Sequence, residues 1–205
     1  MNYFVTAIGT DSGKTVVSAL LGMALNADYW KPVQAGFPTD TERIKQLTNN
    51  TIHCHTERYA LNTPASPHAA APIDNVNIKL DDFELPQTNN QLVIEGAGGI
   101  MVPLNMKDLV IDLAVRFNTP IVLVSNNYLG SINHTLLSLD YLKDNKLPIA
   151  GIIFNGPSNP STEEVILSKT EAPCLLKIPQ LDTINFQVLQ KEALKLKTAW
   201  YDVVG

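Results

Sequence analysis

The sequence predicts an α/β protein in which a parallel sheet carries helices on both faces. Three observations lead there. Short continuous apolar runs such as Leu92-Val93-Ile94 and Ile121-Val122-Leu123-Val124 lack the alternation of a strand with one wet face, so they suit a sheet covered on both sides. These runs alternate with stretches of helical periodicity. The first run, Tyr3-Phe4-Val5, passes through a turn containing Gly9 and Gly13 into the helical pattern of Val16, Val17, Ala19, Leu20, Leu21, Met23 and Ala24.

Taken in order, strands are expected at 2–7, 28–33, 91–95, 120–125, 149–154 and 174–178. Helices are expected at 14–26, 40–48, 108–118, 131–144, 161–170 and 185–198, with Asp108, Ser131 and Ser161 as N-caps. The stretch from about 60 to 90 is rich in proline and poor in periodicity, which reads as an irregular excursion around the sheet. Repeats, low-complexity segments and linkers are missing, so residues 1–205 are expected to form one domain.

Composition narrows the function classes. A net charge of −5 argues against nucleic acid or an anionic membrane as partner. The two cysteines, Cys54 and Cys174, are too few for a disulfide framework. The N-terminal residues form no leader pattern and no apolar run is long enough to span a bilayer, so a cytoplasmic protein is expected. His53-Cys54-His55 looks metal-like, yet the sequence offers no second cluster to complete a tetrahedral set. His68 and His134 read as structural hydrogen-bonders.

The segment Thr6-Ala7-Ile8-Gly9-Thr10-Asp11-Ser12-Gly13-Lys14-Thr15 has the setting of a P-loop, although its first glycine position is Ile8. Inward backbone N–H groups and a helix N-terminus there offer phosphate oxygens donors. Gly13 allows close approach, Lys14 reaches the outer phosphates, and the Thr15 hydroxyl can bind Mg2+. In an open parallel sheet, ligands sit beyond the carboxyl ends of the strands. Lys31 ends the second expected strand and Glu95 the third, the latter before the turn Gly96-Ala97-Gly98-Gly99. A strand-end carboxylate can hold Mg2+ beside nucleotide phosphates. Asp40 opens a helix and can be read either as its N-cap or as a ligand.

Together these residues resemble the dethiobiotin synthetases. The likeness runs from Phe4-Val5-Thr6 to Gly13-Lys14-Thr15, then through Lys31-Pro32-Val33 with Gly36, Ser66-Pro67-His68 and Glu95-Gly96-Ala97-Gly98-Gly99. It continues through Leu129-Gly130-Ser131-Ile132-Asn133-His134, Asn155 and Ile178-Pro179. The resemblance implies a P-loop NTPase-like fold and an ATP- and Mg2+-dependent ligase of biotin biosynthesis. Its substrates would be CO2 and 7,8-diaminopelargonate, which it joins through a carbamate and a carbamic-phosphoric anhydride.

The resemblance also implies roles. Lys14, Lys31 and Thr10 would be catalytic, and Thr15, Asp40 and Glu95 would hold Mg2+. Asp11, Ser12, Gly13, Val16, Gly96, Ala97 and Gly98 would bind the nucleotide. Asn155 and Gly156 would meet the base, with Pro179, Gln180 and Leu181 closing its pocket. Lys31, Ala35, Gly130, Ser131 and Asn133 would contact the diamine, the last three across a homodimer whose interface suits the apolar face of Leu136, Leu137 and Leu139. Three positions depart from the family pattern: Ala7 stands for a glycine, Asp11 for glutamate, and Ala35 for the Ser or Thr beside the substrate. Other classes fit less well. A partition-type ATPase switch carries an extra lysine where this chain has Gly9, and a glutamine-dependent amide synthetase needs a further domain with a nucleophilic cysteine.

Overall fold

The computed structural model describes residues 1–204. Its main sheet is seven-stranded and parallel, in the order β4-β2-β6-β1-β7-β8-β9. The strands are β1 Tyr3–Ala7, β2 Asp28–Trp30, β4 Cys54–His55, β6 Leu92–Gly99, β7 Ile121–Asn126, β8 Ile149–Asn155 and β9 Cys174–Ile178. A small parallel pair, β3 Val33–Ala35 and β5 Tyr59–Leu61, lies apart from it. Helices are α1 Lys14–Leu25, α2 Asp40–Leu47, α3 Pro67–Ile73, α4 Asp112–Phe117, α5 Ser131–Asp144, α6 Pro160–Leu167 and α7 Phe186–Val203.

Two cores explain the unbroken apolar runs. Phe4, Ile94, Ile121 and Leu123 pack into one, on the face that also buries Leu113, Leu139 and Ile166 from α4, α5 and α6. Tyr3, Val5, Val93, Val122 and Val124 pack into the other, against α1 and α7. Successive strand residues therefore enter opposite cores, and both faces of the sheet are dry. Among the described residues no helix is long and apolar enough to cross a membrane.

Several sequence expectations are corrected. The strand expected at 28–33 stops at Trp30, because Pro32 has no N–H for the ladder and its carbonyl instead accepts the N–H groups of Arg58 and Tyr59. Lys31 is thereby released from the sheet. The irregular 60–90 stretch contains β5 and α3, the latter hidden from periodicity by Pro67 and Pro72. None of the three expected N-caps caps its helix. Asp108 is held in a turn by Asn105, and α4 starts at Asp112. Gly130 caps α5 with φ of 105°, and Asn159 caps α6 by accepting the Thr162 N–H, one position before Pro160. Asp40 is not a cap either. Thr39 caps α2 in a reciprocal pair with Glu42, which leaves the Asp40 carboxylate free.

Candidate active site

Three neighbouring strands, β2, β6 and β1, end at one crevice. The loop after β1 wraps the N-terminus of α1, where Ser12 Oγ and Lys14 Nζ donate to the Gly9 carbonyl at 3.1 and 3.3 Å. Gly13 caps α1 at φ 91°, and a Cβ there would stand 2.2 Å from Asn155 Nδ2. That amide donates to the Ser12 carbonyl at 3.0 Å, so the end of β8 braces the loop. The β1–β6 register jumps from Val5↔Glu95 to Ala7↔Gly99, which bulges Gly96, Ala97 and Gly98 towards the loop. Gly98 has φ of 66°, and a Cβ there would press on Val102 at 2.8 Å. The glycine cradle has to stay free of side chains to keep this shape.

At the mouth of the loop lies a compact charge cluster. Thr15 Oγ1 is 2.8 Å from Asp40 Oδ1 and 3.2 Å from Glu95 Oε1. Lys31 Nζ is 2.7 Å from Asp40 Oδ2 and 3.0 Å from Glu95 Oε1, and it donates to the Gly96 carbonyl at 3.2 Å. Tyr29 donates to the other Glu95 oxygen at 3.1 Å. Burial pushes the Lys31 pKa down, but Glu95 and Asp40 outweigh it and hold the ammonium above its ordinary value. Burial likewise works against the Asp40 carboxylate, and Lys31 overrides it to hold the pKa low. The Lys14 pKa is lowered by burial first and by repulsion from Lys31 second. Two ammonium groups thus face one site, as an anion receptor requires.

A cavity of about 700 Å³ runs over this cluster and is bounded by Thr10, Asp11, Val16, Ala35 and Ala97 among others. Thr15 meets both Asp40 and Glu95 here, and all three offer oxygen, the donor type that suits Mg2+. Lys31 stands closer to them than its strand-end reading suggests. Other expected residues lie off the cavity. Asn155 ends β8 beside the end of β9, and the Gly156 N–H just after it donates to the Ile178 carbonyl, which Pro179, Gln180 and Leu181 follow. Gly130, Ser131 and Asn133 open α5 and do not line it. Ser131 is buried and its hydroxyl lacks a partner among the described residues, whereas Gly130 and Asn133 are exposed.

Two contributors escaped the sequence. The Gln34 amide fixes Asp40, its oxygen accepting the Asp40 N–H and its nitrogen donating to the Gly36 carbonyl, each at 3.1 Å. Arg43 lines the cavity, one helical turn beyond Asp40. That i, i+3 spacing on α2 was the available signal for Arg43. His68 has the structural part expected of it, its Nδ1 lying 2.9 Å from Ser66 Oγ.

The order of the strands and the loop between β1 and α1 define a P-loop nucleotide-binding protein. Solved structures agree on the fold. A plasmid partition protein from Borrelia burgdorferi bound to AMPPNP aligns at TM-score 0.61 and 13% identity, covering 98% of this chain and 97% of its own. The cell division ATPase MinD of Pyrococcus furiosus aligns at 0.57 and 14% identity, covering 98% of each chain. A family described as an AAA domain matches residues 1–188. Sequence relatives are more specific. The ATP-dependent dethiobiotin synthetase BioD of Cytophaga hutchinsonii is 50% identical over 203 residues, 98% of each chain. Its namesake from Christiangramia forsetii is 44% identical over 199 residues, 96% of each chain. The chain belongs to the ATP-dependent dethiobiotin synthetase family, a family of ligases.

Proposed function

We propose that this chain, as one domain, closes the ureido ring of dethiobiotin from CO2 and 7,8-diaminopelargonate at the expense of ATP. The supporting observation is that Lys31 and Thr15 each contact both Asp40 and Glu95, at 2.7–3.2 Å, at the mouth of the phosphate loop. One amine adds to CO2 and releases a proton, giving a carbamate. A carbamate oxygen attacks the γ-phosphorus in line and ADP leaves. The second amine then attacks the carbonyl carbon of the mixed anhydride, expelling phosphate and a proton and forming the cyclic urea.

Phosphoryl transfer of this kind depends on positioning and charge stabilisation more than on covalent help from the protein. Lys14, with the loop N–H groups, meets the outer phosphates, and Lys31 lies where carbamate and transferring phosphoryl charge would meet. Thr15, Asp40 and Glu95 would hold Mg2+, which would supply neutralising charge beside the phosphates. Gln34 keeps Asp40 aimed at that position. Ala35 presents no hydroxyl to the substrate, a loss of about 0.5–1.5 kcal/mol that a backbone amide or water can replace. Asn155, Gly156 and the Pro179–Leu181 segment receive the base, at the ends of adjacent strands beside the loop.

The diamine's carboxylate, far from its amines, fits the exposed start of α5 in a second copy of the chain, with Gly130 and Asn133 receiving it in a homodimer. The interface side of this reading shifts with the structure. Leu139 is buried in the core and Leu136 packs against it, so of the residues first expected only Leu137 is free, joined by Leu129 and Ile132. Phosphate release from MgATP and bicarbonate, measured with and without the diamine, tests the central reading. Release that ignores the diamine rejects it in favour of an ATPase switch of the partition type.

A further inference from the structure

The His53-Cys54-His55 segment gains in space the partner that it lacks in sequence. β4 is an edge strand of the main sheet and pairs with β2 in the register Tyr29↔Cys54 and Trp30↔His55, which brings His53 opposite Asp28. Strand alternation puts both histidines on the face of Asp28 and turns Cys54 to the other, where it packs against the core that contains Tyr29. One ligand atom from each of Asp28, His53 and His55 lies within 4.8 Å of the others. His55 Nε2 is 2.9 Å from Asp28 Oδ2, and the two imidazoles meet edge to face with centroids 4.6 Å apart.

We propose that Asp28, His53 and His55 form a binding site for a divalent transition ion of the zinc type, pinning the edge strand β4 to β2. The donor set is two imidazoles and one carboxylate, which suits zinc and its neighbours rather than Mg2+. The carboxylate is already oriented by a second layer. Thr88 Oγ1 donates to Oδ2 at 2.7 Å, and Asn90 Nδ2 donates to Oδ1 at 2.9 Å. Burial works against the charged Asp28, yet Thr88, Asn90 and His55 together hold its pKa below the usual range, so the ligand is ionised at neutral pH. Zinc bonds of about 2.0–2.1 Å place tetrahedral ligands roughly 3.3 Å apart, so the His55–Asp28 pair needs a small opening and His53 a small approach. His53 is exposed and free to make it. Asp28, His53 and Asn90 border a cavity of about 400 Å³ that leaves room for a water ligand. None of the three ligands lines the cavity over the phosphate loop, so this site is separate from the one proposed for ATP.

The test uses the untagged full chain, stripped with chelator and free of nucleotide, titrated with Co2+ and then with Zn2+. Intense visible d–d bands of a four-coordinate ion at one Co2+ per chain, displaced by Zn2+, are expected, together with a rise in melting temperature on adding Zn2+. His53→Ala is exposed and should fold as the parent does while weakening Zn2+ binding at least tenfold, and His55→Ala should do the same. Glu95→Gln should keep the bands, which separates this site from the phosphate loop. Bands that are absent, or that persist unchanged in His53→Ala, would overturn the proposal and leave Asp28 and His55 as a simple imidazole–carboxylate pair.

Discussion

Removing Lys31 should damage stability and catalysis together, and the two effects can be separated. The side chain is 5% exposed and lies between Glu95, 1% exposed, and Asp40. Lys31→Ala leaves the Glu95 carboxylate buried with only the Tyr29 and Thr15 hydroxyls for company. Breaking a buried ion pair from one side costs about 3–5 kcal/mol. Asp40 is partly exposed and recovers some solvation, which favours the lower end of that range. For a chain of this size, such a loss lowers the melting temperature by roughly 6–12 °C. The double variant Lys31→Met, Glu95→Gln should regain part of the stability, since the buried Glu95 charge is gone and the Asp40 carboxylate that remains is partly exposed. It should not regain turnover. Losing a charge aimed at the transferring phosphoryl group costs on the order of 3–4 kcal/mol, at least about a hundredfold in kcat. Differential scanning calorimetry and a phosphate-release assay on the parent and both variants give the comparison. If Lys31→Ala melted with the parent, the buried cluster would contribute nothing to stability. If the double variant turned over within a few-fold of the parent, Lys31 would not act on transferring charge.

Glu95→Gln and Asp40→Asn should each raise the Mg2+ concentration for half-maximal rate at fixed ATP, with Glu95 the larger effect because it sits on a rigid strand end; unchanged half-saturation in both would remove them as ligands. Gly13→Ala should weaken nucleotide binding at least about tenfold, since the new Cβ meets Asn155 Nδ2 at 2.2 Å in a left-handed backbone, and calorimetric titration with a non-hydrolysable ATP analogue measures it. The Asp40 pKa is depressed in the fold, so its contribution is full above the unfolded value of about 3.9 and fades as pH falls through the folded value. The Lys31 pKa is raised, so its contribution is full below about 10.4 and fades as pH rises through the folded value. Urea unfolding from pH 3 to 7 should therefore show a steeper acid limb in the parent than in Asp40→Asn, and equal limbs would deny the coupling. Mixing Lys14→Ala with Asn133→Asp chains should restore up to about a quarter of parental activity if the site is shared between subunits. Asn133 is used because it is exposed, whereas a charge at the buried Ser131 would threaten the fold. Failure to recover would place the site within one chain.

The sheet was legible because its physics is local: a strand buried on both faces must be apolar at every position, and Ile121-Val122-Leu123-Val124 is. The phosphate loop was legible for a similar reason, since Gly13-Lys14-Thr15 stands between a short apolar run and a helical pattern. What escaped depends on contacts across the chain. β3 and β5 are three residues each, and their pairing rests on Pro32 ending β2, which no window of periodicity reports. The misplaced N-caps fail for a related reason. Asp108 has the right chemistry, but Asn105 binds it first, and Gly130 wins over Ser131 because the turn needs a positive φ.

The same distinction separates the two readings of Asp40. Sequence alone left it between helix cap and ligand, because either use needs a carboxylate at a helix start. The cap is supplied by Thr39 and Glu42, whose reciprocal hydrogen bonds satisfy the N–H groups of Glu42 and Thr39 without Asp40. Gln34 then holds the Asp40 backbone from the opposite side. A carboxylate relieved of capping and fixed at its amide has its side chain left for Lys31 and Thr15, at 2.7 and 2.8 Å. Its role in the site therefore depends on a capping box one residue earlier. Thr39→Ala should test this link, because Asp40 would then be drawn back to the helix end. A higher Mg2+ requirement in that variant, with the melting temperature lowered by only the few degrees that a lost cap of about 1 kcal/mol brings, is the expected result. An unchanged requirement would mean that Asp40 keeps its place without the cap.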